Sequence, residues 1–197
     1  EQKLAQARGV QGSLALLFID LDRFKAVNDT LGHDAGDDLL KEMARRLTAL
    51  VRPVDVVARL GGDEFVVLID DCGDPAVLSK VASRMIGQLS EPLRLAGRQA
   101  QIGASIGIAV HPADGADAGS LLKSADTAMY QAKSGGRNGF RFFTAELAHD
   151  AARHFMLEGE LRQAIARGEL RLHYQPKIDL AHSRLAGLEA LVRWQHP

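Results

Sequence analysis

Disulfide chemistry is absent from this sequence of 197 residues, which has a single cysteine, Cys72. A lone thiol in an Asp-rich turn fits a reducing compartment and a structural role, and it argues against cysteine catalysis. Charge of one sign is also lacking: the net charge is -1, which leaves no electrostatic footprint for a nucleic-acid polymer. Any anion site must therefore be local. No apolar run approaches the ~20 residues of a membrane span, and no charged-then-apolar signal opens the chain. The expected location is cytoplasmic, although a parent protein could be tethered through regions outside this sequence, which begins within a helix-like pattern and stops at Pro197 after a strand-like one. What is present, 46% hydrophobic and 25% charged residues, is ordinary for a globular chain. The length suits one full domain and part of another.

Glu1 to Arg8 has helical spacing, broken by Gly9 to Ser13. Leu14-Ala15-Leu16-Leu17-Phe18-Ile19 is apolar without alternation, as expected of a central strand covered on both faces. A short helix is expected from Phe24 to Leu31, a turn over Gly32-His33-Asp34-Ala35-Gly36, and a second helix from Asp37 to Val51 that stops before Pro53. Asp55–Leu60 and Phe65–Ile69 read as a hairpin. A third helix follows from Pro75 to Leu89, with Val77, Leu78, Val81, Met85, Ile86 and Leu89 on its core face. Leu93–Arg98 and Gln101–His111 read as strands, Gly119–Lys133 as a helix ended by Gly135-Gly136, and Phe140–Phe143 as an edge strand. This order gives an α+β fold in which helices surround a central mixed or antiparallel sheet, complete by about Phe143. Thr144–Gly168 reads as a linker helix with Leu147, Ala151, Phe155, Leu161 and Ile165 as its apolar positions; a C-terminal helix of the first domain is the alternative. Leu170–Gln175 and Leu185–Trp194 then begin a second domain, over 169–197.

Gly61-Gly62-Asp63-Glu64 sits at the tip of the hairpin. Adjacent carboxylates repel and lose solvation, so they are either left in water or neutralised by a cation. Asp20 ends the buried strand, where an unpaired carboxylate is costly and where sheets of this kind build their sites. If the hairpin lies beside that strand, the acids converge, and oxygen-only ligands favour Mg²⁺ or Mn²⁺ with open positions for phosphate oxygens. Asp22 is a second candidate ligand, or else a helix cap or a surface charge. The amides of Arg23, Phe24 and Lys25 open a helix and suit an anion. Lys133 and Arg137 frame the Gly135-Gly136 break, where they could clamp phosphate or simply complement the helix dipole. Asn28 and Asp37 could read a guanine edge or act as a cap and a solvated residue.

With these residues laid out, the chain resembles the GGDEF family of diguanylate cyclases. The resemblance rests on Phe18-Ile19-Asp20-Leu21-Asp22-Arg23-Phe24-Lys25-Ala26-Val27-Asn28-Asp29, Leu31-Gly32-His33-Asp34-Ala35-Gly36-Asp37, Arg59-Leu60-Gly61-Gly62-Asp63-Glu64-Phe65, Ser105-Ile106-Gly107-Ile108-Ala109, and the run from Ala125-Asp126 through Tyr130-Gln131-Ala132-Lys133 to Gly136-Arg137-Asn138. The family's usual opening Asp-x-Leu-Thr-Gly-Leu-Pro-Asn-Arg does not occur in the sequence. The resemblance implies a palm-like nucleotide cyclase fold over 1–143. It further implies that Asp20, the Leu21 carbonyl and Asp63 hold Mg²⁺, with Glu64 beside them and Asp63 and Glu64 as the catalytic pair. Asn28 and Asp37 would read guanine, and Gly62, Phe24, Lys25, Lys133 and Arg137 would hold the phosphates. Two such domains would face each other with one GTP apiece and release cyclic di-GMP and pyrophosphate. Arg52-Pro53-Val54-Asp55 resembles the family's RxxD product-inhibition site. Gly61 lies six positions after Asp55, about 20 Å of extended strand, so that pair stands apart from the chemistry.

Tyr174-Gln175-Pro176 and Gly187-Leu188-Glu189-Ala190-Leu191-Val192-Arg193-Trp194 resemble the start of an EAL domain, the cyclic di-GMP phosphodiesterase module. There Glu189 would ligate a metal and Arg193 would contact substrate phosphate. The remaining ligands would lie beyond Pro197, so no phosphodiesterase activity is expected of this segment. Two functions from different classes remain: a cyclase, and a silent GTP- or cyclic di-GMP-binding module controlling the EAL domain. Cyclisation within one nucleotide is disfavoured by the guanine-reading pair.

Overall fold

A computed structural model of the chain describes residues 13–195. The helix expected over Glu1–Arg8 lies outside them. The chain divides into two units, Glu1–His149 and Asp150–Pro197.

In the first unit, strand β1 (Leu14–Asp22) has all nine residues buried. Such complete burial requires neighbours on both edges and layers on both faces. Helices α1 (Phe24–Leu31) and α2 (His33–Leu50) follow, then the hairpin β2 (Val56–Gly61) and β3 (Glu64–Asp70), and helix α3 (Pro75–Leu89). Strands β4 (Leu93–Leu95) and β5 (Arg98–Ala100) precede β6 (Gly103–His111), helix α4 (Ala118–Ser134) and β7 (Gly139–Phe142). The sheet order is β2-β3-β1-β6-β7. β1 is antiparallel to β3 and β6, and only β6 and β7 are parallel. This is the expected α+β arrangement.

Alternation along β1 sends Ala15, Leu17, Ile19 and Leu21 into one core with Leu39, Met43 and Leu47 of α2 and Leu78, Met85 and Leu89 of α3. Leu16 and Phe18 go to the opposite core with Val66, Ala109 and Leu121, Ala125 and Met129 of α4. Asp20 and Asp22 continue this second row, so both acids belong to the α4 side of the sheet.

Three expectations are corrected. The turn placed at Gly32–Gly36 is confined to Gly32, because α2 already begins at His33, with Ala35 and Gly36 buried in its first turn. Val77 is 51% exposed, and Ala82 takes its place among the buried residues of α3, because the apolar stripe is narrower than the hydrophobic content suggests. The strand expected at Leu93–Arg98 is folded on itself at Ala96 and Gly97, both with positive φ, and forms the separate β4–β5 hairpin.

Helix α5 (Ala145–Ala164) carries the chain into the second unit, where β8 (Leu170–Asp179) and β9 (Arg184–Trp194) form an antiparallel pair. Leu161 and Ile165, expected on an apolar face, are exposed, while Ala164 is buried. The side chains of Ala151 and Phe155 lie outside the described set. Among the described residues, no helix is long and apolar enough to cross a membrane.

Candidate active site

The strand register assembles the site. Asp20 stands opposite Glu64 on β3 and opposite Ser105 on β6, at the end of three adjacent strands. The tip of the hairpin is tied to β1 where the Leu21 amide donates to the Asp63 carbonyl at 3.2 Å. Gly62 takes a φ of 50°, and its carbonyl accepts from Arg59 Nε at 2.9 Å, which fixes the turn ahead of the acids. Asp63 and Glu64 are both half-buried.

Lys133, on the last turn of α4, reaches Asp20 Oδ2 with its Nζ at 2.6 Å. Burial pushes the Asp20 carboxyl above the ordinary aspartate range. The Lys133 hydrogen bond opposes that shift, while the neighbouring charges of Asp63 and Asp22 add to it. The fields of Asp20 and Asp63 therefore overlap, as expected of two carboxylates able to share a cation. Among the described residues, no three His, Cys, Asp or Glu side chains form a ready-made metal cage. A magnesium site needs less, since that ion is held by one or two carboxylates plus water and phosphate oxygens. Asp20, Asp63 and the Leu21 carbonyl offer oxygen donors only, the kind that ion prefers.

Asp22, left open between ligand and cap, does not cap the helix. The residue is 5% exposed, and its carboxylate accepts from Ser105 Oγ at 2.7 Å through Oδ1 and from the Asn138 amide at 2.9 Å through Oδ2. The residue before α1 is Arg23, left-handed at φ 63°, and no side chain among the described residues caps the helix. Lys25 is exposed and Phe24 half-buried at that helix start. Arg137 is exposed, with φ 64°, and makes no ion pair among the described residues.

Asn28 and Gly36 are fitted to each other. A Cβ at position 36 would stand 1.8 Å from Asn28 Oδ1, so only glycine permits this approach of α1 to α2. Asn28 Oδ1 is buried and has no hydrogen-bond partner among the described residues. An orphaned buried acceptor is costly and points to a donor supplied from outside the chain. Asp37, next to Gly36, is exposed on the rim of a cleft of about 440 Å³ between α2 and the hairpin, lined also by Lys41, Ala58, Arg59 and Phe65.

At the other end of the hairpin, Arg52 and Asp55 bind each other rather than standing open. Arg52 donates from Nη2 to Asp55 Oδ1 at 2.9 Å and from Nε to Oδ2 at 3.1 Å, and it also bonds the Asp70 carbonyl. Burial would raise the Asp55 carboxyl, but bonds from the Arg52 side chain and backbone and from the Asp70 amide leave it below the ordinary range. Arg84, not singled out from the sequence, lines the same cleft of about 190 Å³. In the sequence it is one of several polar positions of α3, with Ser79, Lys80, Ser83 and Gln88, and nothing there sets it apart. In the second unit, Glu189 pairs with Lys177 at 3.2 Å, and Arg193 is exposed, donating to the Val192 carbonyl.

The sequence model of the diguanylate cyclase GGDEF domain matches residues 1–139. The chain belongs to the GGDEF family. The EAL domain model matches residues 158–197. Among curated relatives, a bifunctional diguanylate cyclase/cyclic di-GMP phosphodiesterase, MucR of Pseudomonas aeruginosa, is 46% identical over 197 residues, covering 100% of this chain and 29% of the relative. A cyclic di-GMP phosphodiesterase of the same species, NbdA, is 44% identical over 196 residues, covering 100% of this chain and 25% of the relative. The chain thus spans less than a third of these proteins. The crystal structure of the GGDEF domain of YfiN (TpbB) from Pseudomonas aeruginosa superposes with a TM-score of 0.70 at 41% identity, over 73% of this chain and 89% of that one. The GGDEF fold is the palm-like one anticipated from the motifs.

Proposed function

We propose that this GGDEF domain is a diguanylate cyclase, joining two GTP molecules into cyclic di-GMP with release of pyrophosphate. The observation that carries the reading is the meeting of Asp20, the Asp63-Glu64 turn and Lys133 at one end of the sheet. The orphaned Asn28 Oδ1 suits the N1 or amino hydrogens of guanine, with Asp37 as the second acceptor. The amides opening α1, with Phe24, Lys25 and Gly62 around them, face the phosphate tail, and Lys133 and Arg137 supply its counter-charge. A divalent cation, Mg²⁺ or Mn²⁺, bound through Asp20, Asp63 and the Leu21 carbonyl with Glu64 alongside, would screen phosphoryl charge and acidify the attacking 3′-hydroxyl. Asp63 and Glu64 stand where that proton could be taken up. One domain holds one GTP, so the reaction needs a second copy facing it.

Residues 1–143 form the cyclase domain in this reading, 144–168 a linker and 169–197 the start of an EAL domain in which Glu189 and Arg193 take up metal and phosphate. Arg52 and Asp55, with Arg84, form a site where the product restrains the domain. A second reading, a GTP- or cyclic di-GMP-binding regulatory module without turnover, is favoured by the phosphodiesterase name of one relative that matches the whole chain. The two separate on incubation of the full-length protein with GTP and MgCl₂ and chromatography of the products. Cyclic di-GMP from the wild type and none from Asp63→Ala supports the cyclase. GTP binding without product supports the module, and equal product from both proteins removes the assigned site.

A further inference from the structure

The loop that carries Arg137 is strained. After α4, Gly136, Arg137 and Asn138 have φ values of 122°, 64° and 46°, and two of the three carry a side chain. Non-glycine residues in this region are disfavoured and persist only where surrounding groups over-determine them. Here the determinants are few and identifiable. The Arg137 amide bonds the Ala132 carbonyl at 3.1 Å, and Asn138 Oδ1 accepts from Ser90 Oγ at 2.8 Å. The Asn138 amide donates to Asp22 Oδ2 from 116 residues away in the chain. Asp22 is in turn held by Ser105, which is fully buried. The room for this is limited: a Cβ at Gly103 would stand 2.8 Å from Asp22 Oδ2 and 3.1 Å from Asn138 Oδ1.

We infer that Asp22 is a positioning residue, a buried clasp between β1 and the α4–β7 loop that holds Arg137 in its left-handed conformation at the phosphate end of the site. This rests on the reading of Arg137 as a phosphate ligand. It assigns Asp22 a task other than metal binding, although only Leu21 separates it from Asp20. Both of its oxygens face donors, and both bonds run to elements that carry no carboxylate of the site. Asparagine can reproduce the pair, its Oδ1 accepting from the Asn138 amide and its Nδ2 donating to the Ser105 hydroxyl. A carboxylate that binds a divalent cation would lose its charge in the same substitution, and with it affinity for the ion.

The test compares Asp22→Asn and Asp22→Ala in the full chain, alone and combined with Arg137→Ala, with equilibrium binding of GTP and of guanosine as readouts. Asp22→Ala is expected to weaken GTP binding about tenfold, as for loss of one charge-assisted contact. Guanosine binding and Mg²⁺ affinity stay unchanged, and Asp22→Asn stays near the wild type. In the Arg137→Ala background, Asp22→Ala should add nothing, because it acts through the guanidinium. A further tenfold loss there, or loss of Mg²⁺ affinity in Asp22→Asn, overturns the inference. Should the wild type bind no GTP, the functional reading fails while the clasp remains testable by hydrogen exchange of the Asn138 amide. That amide is expected to be protected in the wild type and Asp22→Asn and fast-exchanging in Asp22→Ala; equal protection in all three, or loss of it in Asp22→Asn, refutes the clasp. Gly103→Ala, which presses on Asp22 from β6, should speed the same exchange, and unchanged protection in it counts against the clasp even if Asp22→Ala does not fold.

Discussion

Two aspartates near opposite ends of the β2–β3 hairpin are buried almost equally, with side chains 7% exposed at Asp20 and 4% at Asp55, yet their acidities move in opposite directions. Asp55 is surrounded by donors: the Arg52 side chain and amide and the Asp70 amide. Asp20 has one cation, Lys133, and two negative neighbours. Burial pushes both carboxyls up; at Asp55 the donors together outweigh it, and at Asp20, with Lys133 opposed by two like charges, they do not. A carboxylate with a full set of donors is held in its charged form, and one left short of them favours an added cation.

The strongest way to break the comparison is to remove Asp20's one cation. Lys133→Met is expected to lower cyclic di-GMP formation at saturating GTP and MgCl₂ by roughly 100-fold, as for loss of a preorganised charge at a reacting phosphate. Retained turnover would show that Lys133 only neutralises Asp20. At the other end, Arg52→Ala strips donors from a buried carboxylate while leaving the proposed reaction centre intact. Stability should drop by about 1–2 kcal/mol in urea unfolding, since the arginine is itself largely exposed. Initial rates should persist, with inhibition by added cyclic di-GMP relieved; unchanged inhibition would detach this pair from regulation.

The smallest effect is in acid. Asp55, depressed on folding, contributes stability that is present above the unfolded value near about 3.9 and is lost as pH falls through its lower folded value. Asp20, raised on folding, contributes in the opposite sense, fully present below the unfolded value and lost as pH rises through the folded one. In melting curves between about pH 6 and pH 3, Asp55→Asn should flatten the acid decline by a few degrees and Asp20→Asn should steepen it. Parallel slopes in the two variants would contradict the environments described.

Elements with a simple period were legible in the sequence. The unbroken apolar run of β1, the proline-led start of α3 and the glycine stop of α4 all stand where patterning puts them. The β4–β5 hairpin was not, because Ala96 gives no hint of a positive φ. At the site, the acids announce themselves by their position at a strand end and a hairpin tip. The network of Asp22 with Ser105 and Asn138 did not, since it joins residues far apart in the chain and uses a backbone amide with no identity of its own. The pairing of Arg52 with Asp55 has the spacing of a local contact, but the carbonyl it anchors belongs to Asp70.

β1 is hydrogen-bonded along both edges and filled on both faces, so it cannot shift lengthwise. Its side chains alternate sides one by one, and removing any single residue between Leu14 and Ile19 would turn Asp20 toward the helices of the wrong layer, away from Lys133. The greasy stretch thus works as a ruler. Its length in residues, counted from a chain direction that paired strands forbid to slide, decides on which side of the molecule negative charge emerges.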